Sequence, residues 1–240
     1  MKLVLAGGGT GGHIYPGLAL AESFADEPAF APLDVLFVGT RDRLEARIVP
    51  AAGVPIAYVR AAPLARSLSP SLVRTVVLNA VGFVQALAVL RRAKPDVLIA
   101  TGGYVALPVV AALRALRSIG VSRAKIALFE ANAVAGVTNR LLAPLVDEIW
   151  YAIPPRRPLR ARGRVVGMPV RSSMRRDADA GDARRAFGLA PDVPTVVAMG
   201  GSQGAASIND ALAAAAPALA PPAWQLVAIS GERDHDALRT

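Results

Sequence analysis

A chain of 240 residues with a 53% hydrophobic fraction is long enough for one large or two modest domains, each burying its own core. The absence of cysteine excludes disulfides, thiolate metal sites and cysteine nucleophiles, and two histidines, His13 and His235, are too few for a histidine metal cluster. The net charge of +9 points to a phosphorylated substrate, an anionic membrane surface or nucleic acid. The densest cluster, Arg156, Arg157, Arg160, Arg162 and Arg164, has no interleaved aromatic residue and so lacks the stacking platform of a single-strand nucleic-acid binder.

The first apolar run, residues 3–6, is far shorter than the ~7–15 residues of a signal-peptide core and predicts a strand. It opens into Gly7-Gly8-Gly9-Thr10-Gly11-Gly12-His13, a glycine turn before a helix predicted over residues 17–26. Glycine lets backbone N–H groups approach a ligand, and a helix start adds unpaired donors and a positive dipole end, so such a turn suits phosphate. Formally it also fits a dinucleotide fingerprint. The next strand, residues 34–38, nevertheless ends in Gly39-Thr40-Arg41, without the acidic residue that would hold a ribose. Arg41 is compatible with a 2′-phosphate, which keeps an NADP-dependent oxidoreductase as an alternative. A P-loop is disfavoured because His13 occupies the lysine position.

Further along, a helix over residues 43–52 and a strand over 56–59 precede a long helix over 71–92. Its uncharged stretch between Arg74 and Arg91 falls short of the ~20 residues that span a bilayer, and no transmembrane helix is predicted. Thr75, Asn79, Gly82 and Gln85 fall on one stripe of this otherwise apolar helix, which reads as a buried helix. A strand over 97–100 runs into a second glycine turn, Thr101-Gly102-Gly103-Tyr104, and a helix over 105–116. A strand over 126–129 delivers Glu130 at its carboxyl end, followed by a helix over 134–143 and a strand over 148–152.

Proline and glycine then mingle with the arginine cluster up to Pro169, which suggests a domain boundary. Within it lies a short strand at 165–166, and after it come a helix over 183–187 and a strand over 195–199 ending in a third turn, Gly200-Gly201-Ser202-Gln203-Gly204. A helix over 205–219 and a strand over 225–229 close the series. Uninterrupted apolar strands alternating with helices imply an α/β protein of parallel, doubly wound sheets. Two Rossmann-like domains facing a cleft are expected, residues 1–166 and 167–240. Two strands are too few to cover the second domain, so the chain is expected to continue past Thr240 and residues 193–240 to be mobile.

Taken together, Gly8-Gly9-Thr10-Gly11-Gly12-His13 with Pro16, Gly102-Gly103-Tyr104-Val105, Glu130-x-Asn132-x-x-x-Gly136-x-Thr138-Asn139, Pro169-Val170-Arg171 and Gly200-Gly201-Ser202-Gln203-Gly204-Ala205 resemble, in order and spacing, MurG-type enzymes. The resemblance covers the whole chain. It implies the GT-B fold, with an acceptor domain first and a nucleotide-sugar domain second. It also implies inverting transfer of N-acetylglucosamine from UDP-N-acetylglucosamine to the 4-hydroxyl of undecaprenyl-pyrophosphoryl-N-acetylmuramoyl-pentapeptide, in peptidoglycan synthesis. Thr10, Gly11 and Gly12 would bind an anionic group. His13, at a helix start that disfavours positive charge, is the first candidate general base, with substrate binding as its other reading. Glu130 is the second, with an ion pair holding its loop as the alternative. Asn132, Arg171 and Ser202 would contact the UDP-sugar.

The sequence departs from the family at Phe129 and Ala131, where polar residues are usual around Glu130, and at Ala61-Ala62-Pro63-Leu64-Ala65-Arg66, which lacks the loop's usual glycines. No Asp-x-Asp pair follows a strand, so no metal or cofactor is expected. The long helix, flanked by Arg66, Arg74, Arg91 and Arg92, would dock peripherally on the cytoplasmic face of the inner membrane, and no nucleic acid is implied. A catalytically silent nucleotide-binding fragment is the non-enzyme alternative.

Overall fold

Strand β1 (Lys2–Gly7) carries apolar side chains on both faces, and both are covered. Leu3 and Leu5 pack with Phe37 and Ile99 against Ile14 and Leu18 of helix α1 (Gly11–Ala25) and Val49 of α2 (Glu45–Ala51). Val4 and Ala6 point the other way. They pack with Leu98, Ala100 and Leu128 against Leu90 of α3 (Pro70–Ala93) and Val109 and Leu113 of α4 (Ala106–Ser118). Each fully buried Leu, Ile or Phe contributes about 1.5–3 kcal/mol relative to exposure, so these two layers hold the sheet between helices. The computed structural model describes residues 1–63, 70–174, 179–201, 204–215, 224–231 and 234–236.

The chain divides into two compact units, Met1–Arg175 and Arg176–Thr240. The first holds a seven-stranded sheet in the order β3-β2-β1-β4-β5-β6-β7, every neighbouring pair parallel. Its other strands are β2 (Asp34–Gly39), β3 (Ile56–Tyr58), β4 (Val97–Gly102), β5 (Lys125–Glu130), β6 (Glu148–Tyr151) and β7 (Arg162–Val165). The chain winds outward from β1 to β3, returns past β1 to β4 and then winds the other way. The crevice outside the carboxyl ends of β1 and β4 is therefore the topological switch point where doubly wound sheets bind ligands. Edge strand β7 is exposed and arginine-rich. Its Arg164 pairs with Glu148 at 2.9 Å and lies over the Trp150 ring, a charged edge that discourages strand addition.

Helix α1 starts at Gly11, inside the glycine turn, rather than at residue 17. Pro16 lies inside it, in the second turn, where it removes the hydrogen bond that an N–H at this position would give to Gly12 O. Residues 167–174, read from sequence as the start of the second domain, belong to the first unit. Glu22 of α1 accepts the Ser172 N–H at 2.7 Å and Arg171 Nε at 3.1 Å.

Helix α3 corrects the buried-helix reading in an instructive way. Its polar stripe faces the protein: Thr75 and Gly82 are buried, and Asn79 and Gln85 are half-buried. Its valines face outward, with Val73, Val76, Val77 and Val84 53–67% exposed. Leu72–Ala93, 22 residues with an 18-residue stretch of mean hydropathy 1.8, is also long and apolar enough to cross a membrane by length and composition, which the sequence count between charged residues did not anticipate. Its other face packs along α4, with Ala86 and Leu90 in the core.

The second unit contains α6 (Ala180–Ala186), α7 (Ala206–Ala215) and a parallel pair, β8 (Thr195–Met199) and β9 (Gln225–Ile229). Gln225 ties the pair to the preceding loop, donating to Ala190 O at 2.8 Å and accepting from Ala190 N at 2.9 Å. Asn209 of α7 donates to Ser230 O and Asp234 Oδ2. Val196, Val197, Met199 and Ile229 are 47–60% exposed on these strands.

Candidate active site

The site begins with the turn after β1. Thr10 caps α1 in extended conformation without a side-chain hydrogen bond to the helix, so the first-turn N–H groups at Gly11 and Gly12 lack intrahelical acceptors; Thr10 and Gly12 are exposed and Gly11 is buried. Beneath the turn lies Glu45, fully buried, which no sequence signal singled out. Its Oε2 accepts Gly9 N at 3.0 Å, and its Oε1 accepts Thr40 N at 3.1 Å and Thr40 Oγ1 at 2.6 Å. One carboxylate therefore fastens the glycine turn to the end of β2.

His13 is half-buried, one turn into α1. Its Nδ1 lies 3.0 Å from Thr101 O at the end of β4. A carbonyl only accepts, so this contact assigns the proton to Nδ1 and leaves the Nε2 lone pair of the neutral ring for another partner. Thr101 Oγ1 donates back to His13 O at 2.7 Å, locking α1 to β4 across the switch point. Gly102 and Gly103, both at positive φ, give the ring its space. A Cβ at Gly102 would stand 2.9 Å from His13 Nδ1, and one at Gly103 would collide with the Gly8 carbonyl.

Glu130 ends β5 and is 2% exposed. Its Oε1 accepts Asn132 N at 2.9 Å and Asn132 Nδ2 at 3.0 Å, and its Oε2 accepts Gly136 N at 3.1 Å and Asn139 Nδ2 at 2.8 Å. Four N–H donors thus fill the carboxylate. The loop is held by amide hydrogen bonds rather than by the ion pair expected from sequence, and no lone pair is turned toward substrate. Asn139 belongs to the motif read from sequence, which gave it no role of its own. It also donates to Phe129 O at 3.3 Å, while its buried Oδ1 has no hydrogen-bond partner among the described residues. Gly102 lies between Asn139 and His13, so the β4 turn joins the two halves of the site.

Of the sequence candidates, Thr10, Gly11, Gly12, His13, Glu130 and Asn132 all lie at the carboxyl rim of this one sheet. Arg171 is engaged with Glu22 on α1 within the first unit, not in the second where its motif placed it. Ser202 lies outside the described residues.

The sequence profile of the glycosyltransferase family 28 N-terminal domain matches residues 3–151, more than half of the chain. The chain belongs to glycosyltransferase family 28. Among family 28 relatives, proteins of Lacticaseibacillus casei and Moorella thermoacetica are each 39% identical to it. The matches cover 100% and 99% of this chain and 64% and 62% of theirs, so the chain spans less than two thirds of the relatives' length. Both carry the name UDP-N-acetylglucosamine–N-acetylmuramyl-(pentapeptide) pyrophosphoryl-undecaprenol N-acetylglucosamine transferase. The crystal structure of Acinetobacter baumannii MurG superposes with a TM-score of 0.65 at 23% identity, over 99% of this chain and 61% of that one. The fold is accordingly the GT-B type expected from sequence.

Proposed function

We propose that this chain carries the acceptor-side machinery of an inverting transferase that moves N-acetylglucosamine from UDP-N-acetylglucosamine to the 4-hydroxyl of undecaprenyl-pyrophosphoryl-N-acetylmuramoyl-pentapeptide. The observation that carries the reading is His13 at the switch point, with Nδ1 held by Thr101 O and Nε2 without a hydrogen-bond partner among the described residues. The names of these two relatives supply the substrates. His13 Nε2 takes the proton of the acceptor hydroxyl as that oxygen attacks the anomeric carbon; the bond from carbon to the diphosphate oxygen breaks, and UDP leaves with the electron pair. The open N–H groups around Thr10, Gly11 and Gly12 hold an anionic group of substrate, so the developing charge is met by backbone donors without a required cofactor.

In this reading Glu130 is a positioning residue. It fixes Asn132 by two hydrogen bonds and leaves the Asn132 carbonyl oxygen for a sugar hydroxyl. Arg171 reaches donor phosphate by exchanging Glu22 for it, and Ser202, outside the described residues, is proposed as a donor contact on its motif alone. The exposed valines of α3, bordered by Arg74, Arg91 and Arg92, rest peripherally on an anionic membrane at the cytoplasmic face.

The test uses the chain extended to its relatives' length. UDP should raise its thermal midpoint and NADP should not, because only a ligand that prefers the native state stabilises it. Transfer from UDP-N-acetylglucosamine to the lipid-linked acceptor should be measurable. Equal protection by NADP, or absence of transfer, overturns the proposal.

A further inference from the structure

Glu45 opens α2, where a helix start favours negative charge, and it is fully buried without an ion pair among the described residues. The chain is cleared around it. A Cβ at Gly8 would collide with its carboxylate, and one at Gly39 would stand 2.6 Å from its Cγ. Burying a carboxylate is unfavourable unless donors satisfy it, and a hydrocarbon side chain would fill the same space without that cost. The use of Glu45 therefore lies in its oxygens.

The two oxygens act on different segments. Oε1 is anchored by the N–H and hydroxyl of Thr40 at the end of β2, whereas Oε2 receives the Gly9 N–H of the glycine turn. In a trans peptide the N–H and the preceding carbonyl point in opposite directions. With the Gly9 N–H turned onto Glu45, the Gly8 carbonyl is turned toward the β4 turn, where a Cβ at Gly103 would collide with it. Tyr104 lies against the same peptide, since a Cβ at Gly9 would stand 2.9 Å from its Cε1. Gly103 in turn borders the imidazole, with a Cβ there 3.1 Å from His13 Cδ2. Contacts thus run from Glu45 through one peptide unit to the His13 ring.

Turning that peptide over changes ψ of Gly8 and φ of Gly9, now +87°, and neither residue has a Cβ to resist it. Reversed, the Gly8 carbonyl would meet the Glu45 carboxylate oxygen against oxygen. Local backbone sterics leave both orientations open, and the carboxylate chooses between them. We propose that Glu45 is a positioning residue for His13: its Oε2 holds the Gly8–Gly9 peptide in one of two orientations and so fixes the β4 turn against which the imidazole rests. For its effect on turnover the proposal rests on the transferase reading; the hold on the peptide does not.

Glu45→Gln keeps the shape of the side chain but leaves one accepting oxygen. With that oxygen kept by the two Thr40 donors, the new NH2 faces the Gly9 N–H, and the peptide relieves the conflict by turning over so that Gly8 O accepts. In the 240-residue chain, glycine labelled with ¹³C at the carbonyl and ¹⁵N at the amide gives a coupled signal only where glycine follows glycine, at Gly8, Gly9, Gly12, Gly103 and Gly201. The parent Gly9 amide should exchange slowly with solvent although it lies in a turn. Glu45→Gln should move the Gly9 and Gly103 signals and speed Gly9 exchange by roughly tenfold or more, as expected for loss of a hydrogen bond to a charged group. Thr40→Val, which takes a donor from the other oxygen, should lower the thermal midpoint yet leave the Gly9 signal close to the parent's.

In the extended chain Glu45→Gln should lower kcat/KM by about tenfold or more while the pH dependence of turnover keeps its position, because the contact of His13 Nδ1 with Thr101 O is untouched. A parent Gly9 amide that exchanges as freely as an open turn overturns the proposal, even if Glu45→Gln fails to fold. So does a Gly9 signal that Thr40→Val moves as far as Glu45→Gln, which makes Glu45 a merely structural residue, or an active Glu45→Gln enzyme with kcat/KM unchanged. An extended parent that transfers nothing, with the Gly9 results as expected, sinks the proposed function and spares the hold on the peptide.

Discussion

An imidazole that gives one nitrogen to a carbonyl has only the other for chemistry, and His13 is in that state before substrate arrives. His13→Ala in the extended chain is therefore expected to lower turnover about 10²–10⁴-fold with little change in donor affinity, the range for loss of a general base. A loss confined to the acceptor KM makes His13 a binder instead. Glu130→Gln should behave differently. The substituted amide turns a donor toward the Asn132 or Asn139 donors, so the loop loosens and acceptor KM rises, while the pH profile of turnover keeps its shape. A lost acidic or basic limb in that profile would return Glu130 to the role of proton acceptor. His13 was legible because a histidine inside a glycine turn is a local signal. Glu45 was not, since what it does depends on contacts with chain distant in sequence: it reaches Gly9 across 36 positions, as Thr101 answers His13 across 88, whereas Asn139 stood in the motif only nine positions from its partner Glu130.

At the level of elements, the alternation of apolar runs with helical ones was enough to read the parallel sheet, because strands buried on both faces, like β1, β4 and β5, carry polar residues only toward their ends. Boundaries were less legible. Glycine and Pro16 conceal the first turns of α1, and hydrogen bonding of Gly136 N to Glu130 delays α5 (Val137–Leu142) relative to the helix predicted from residue 134. Helix α3 misled because apolar composition does not say which face is inward. Asn79 and Gln85 take the protein side for their hydrogen bonds, which forces the valines into solvent. That inversion is expected to give the chain affinity for anionic bilayers. Val73→Ser, Val76→Ser and Val77→Ser combined should reduce its partition onto phosphatidylglycerol vesicles by about tenfold or more, from the apolar area withdrawn from the interface. The folded structure should persist, since these side chains contribute little to the core. Undiminished partition would move the membrane-facing surface elsewhere on the molecule.

Across the whole molecule, the attachment of residues 167–174 decides where the first unit ends, and that attachment is electrostatic. The Ser172 N–H, with the Arg171 guanidinium beside it, holds the Glu22 carboxyl below the usual carboxylate range against the opposing effect of burial. This explains why the proline and glycine content around residue 167 suggested an earlier boundary: a carboxylate on α1, far away in sequence, captures the segment. A second such carboxylate, Asp147, stands before β6. Burial pushes it up, but the hydrogen bond from Arg117 and the Ile126 N–H outweigh that and hold it low. Both groups are depressed on folding, so the unfolded chain binds protons that the folded chain refuses, and stability rises with pH through their titration range. Their contribution is complete above the ordinary carboxylate pKa of about 4 and is lost as the pH falls through the lower folded values. Urea denaturation of the 240-residue chain between about pH 6 and pH 3 is expected to give a midpoint that is level at first and then falls below about pH 4. Glu22→Gln and Asp147→Asn should each lower the plateau and flatten the fall, with Glu22→Gln also exposing residues 167–174 to protease at neutral pH. An acid limb as steep in both variants as in the parent would assign the acid sensitivity to other carboxylates.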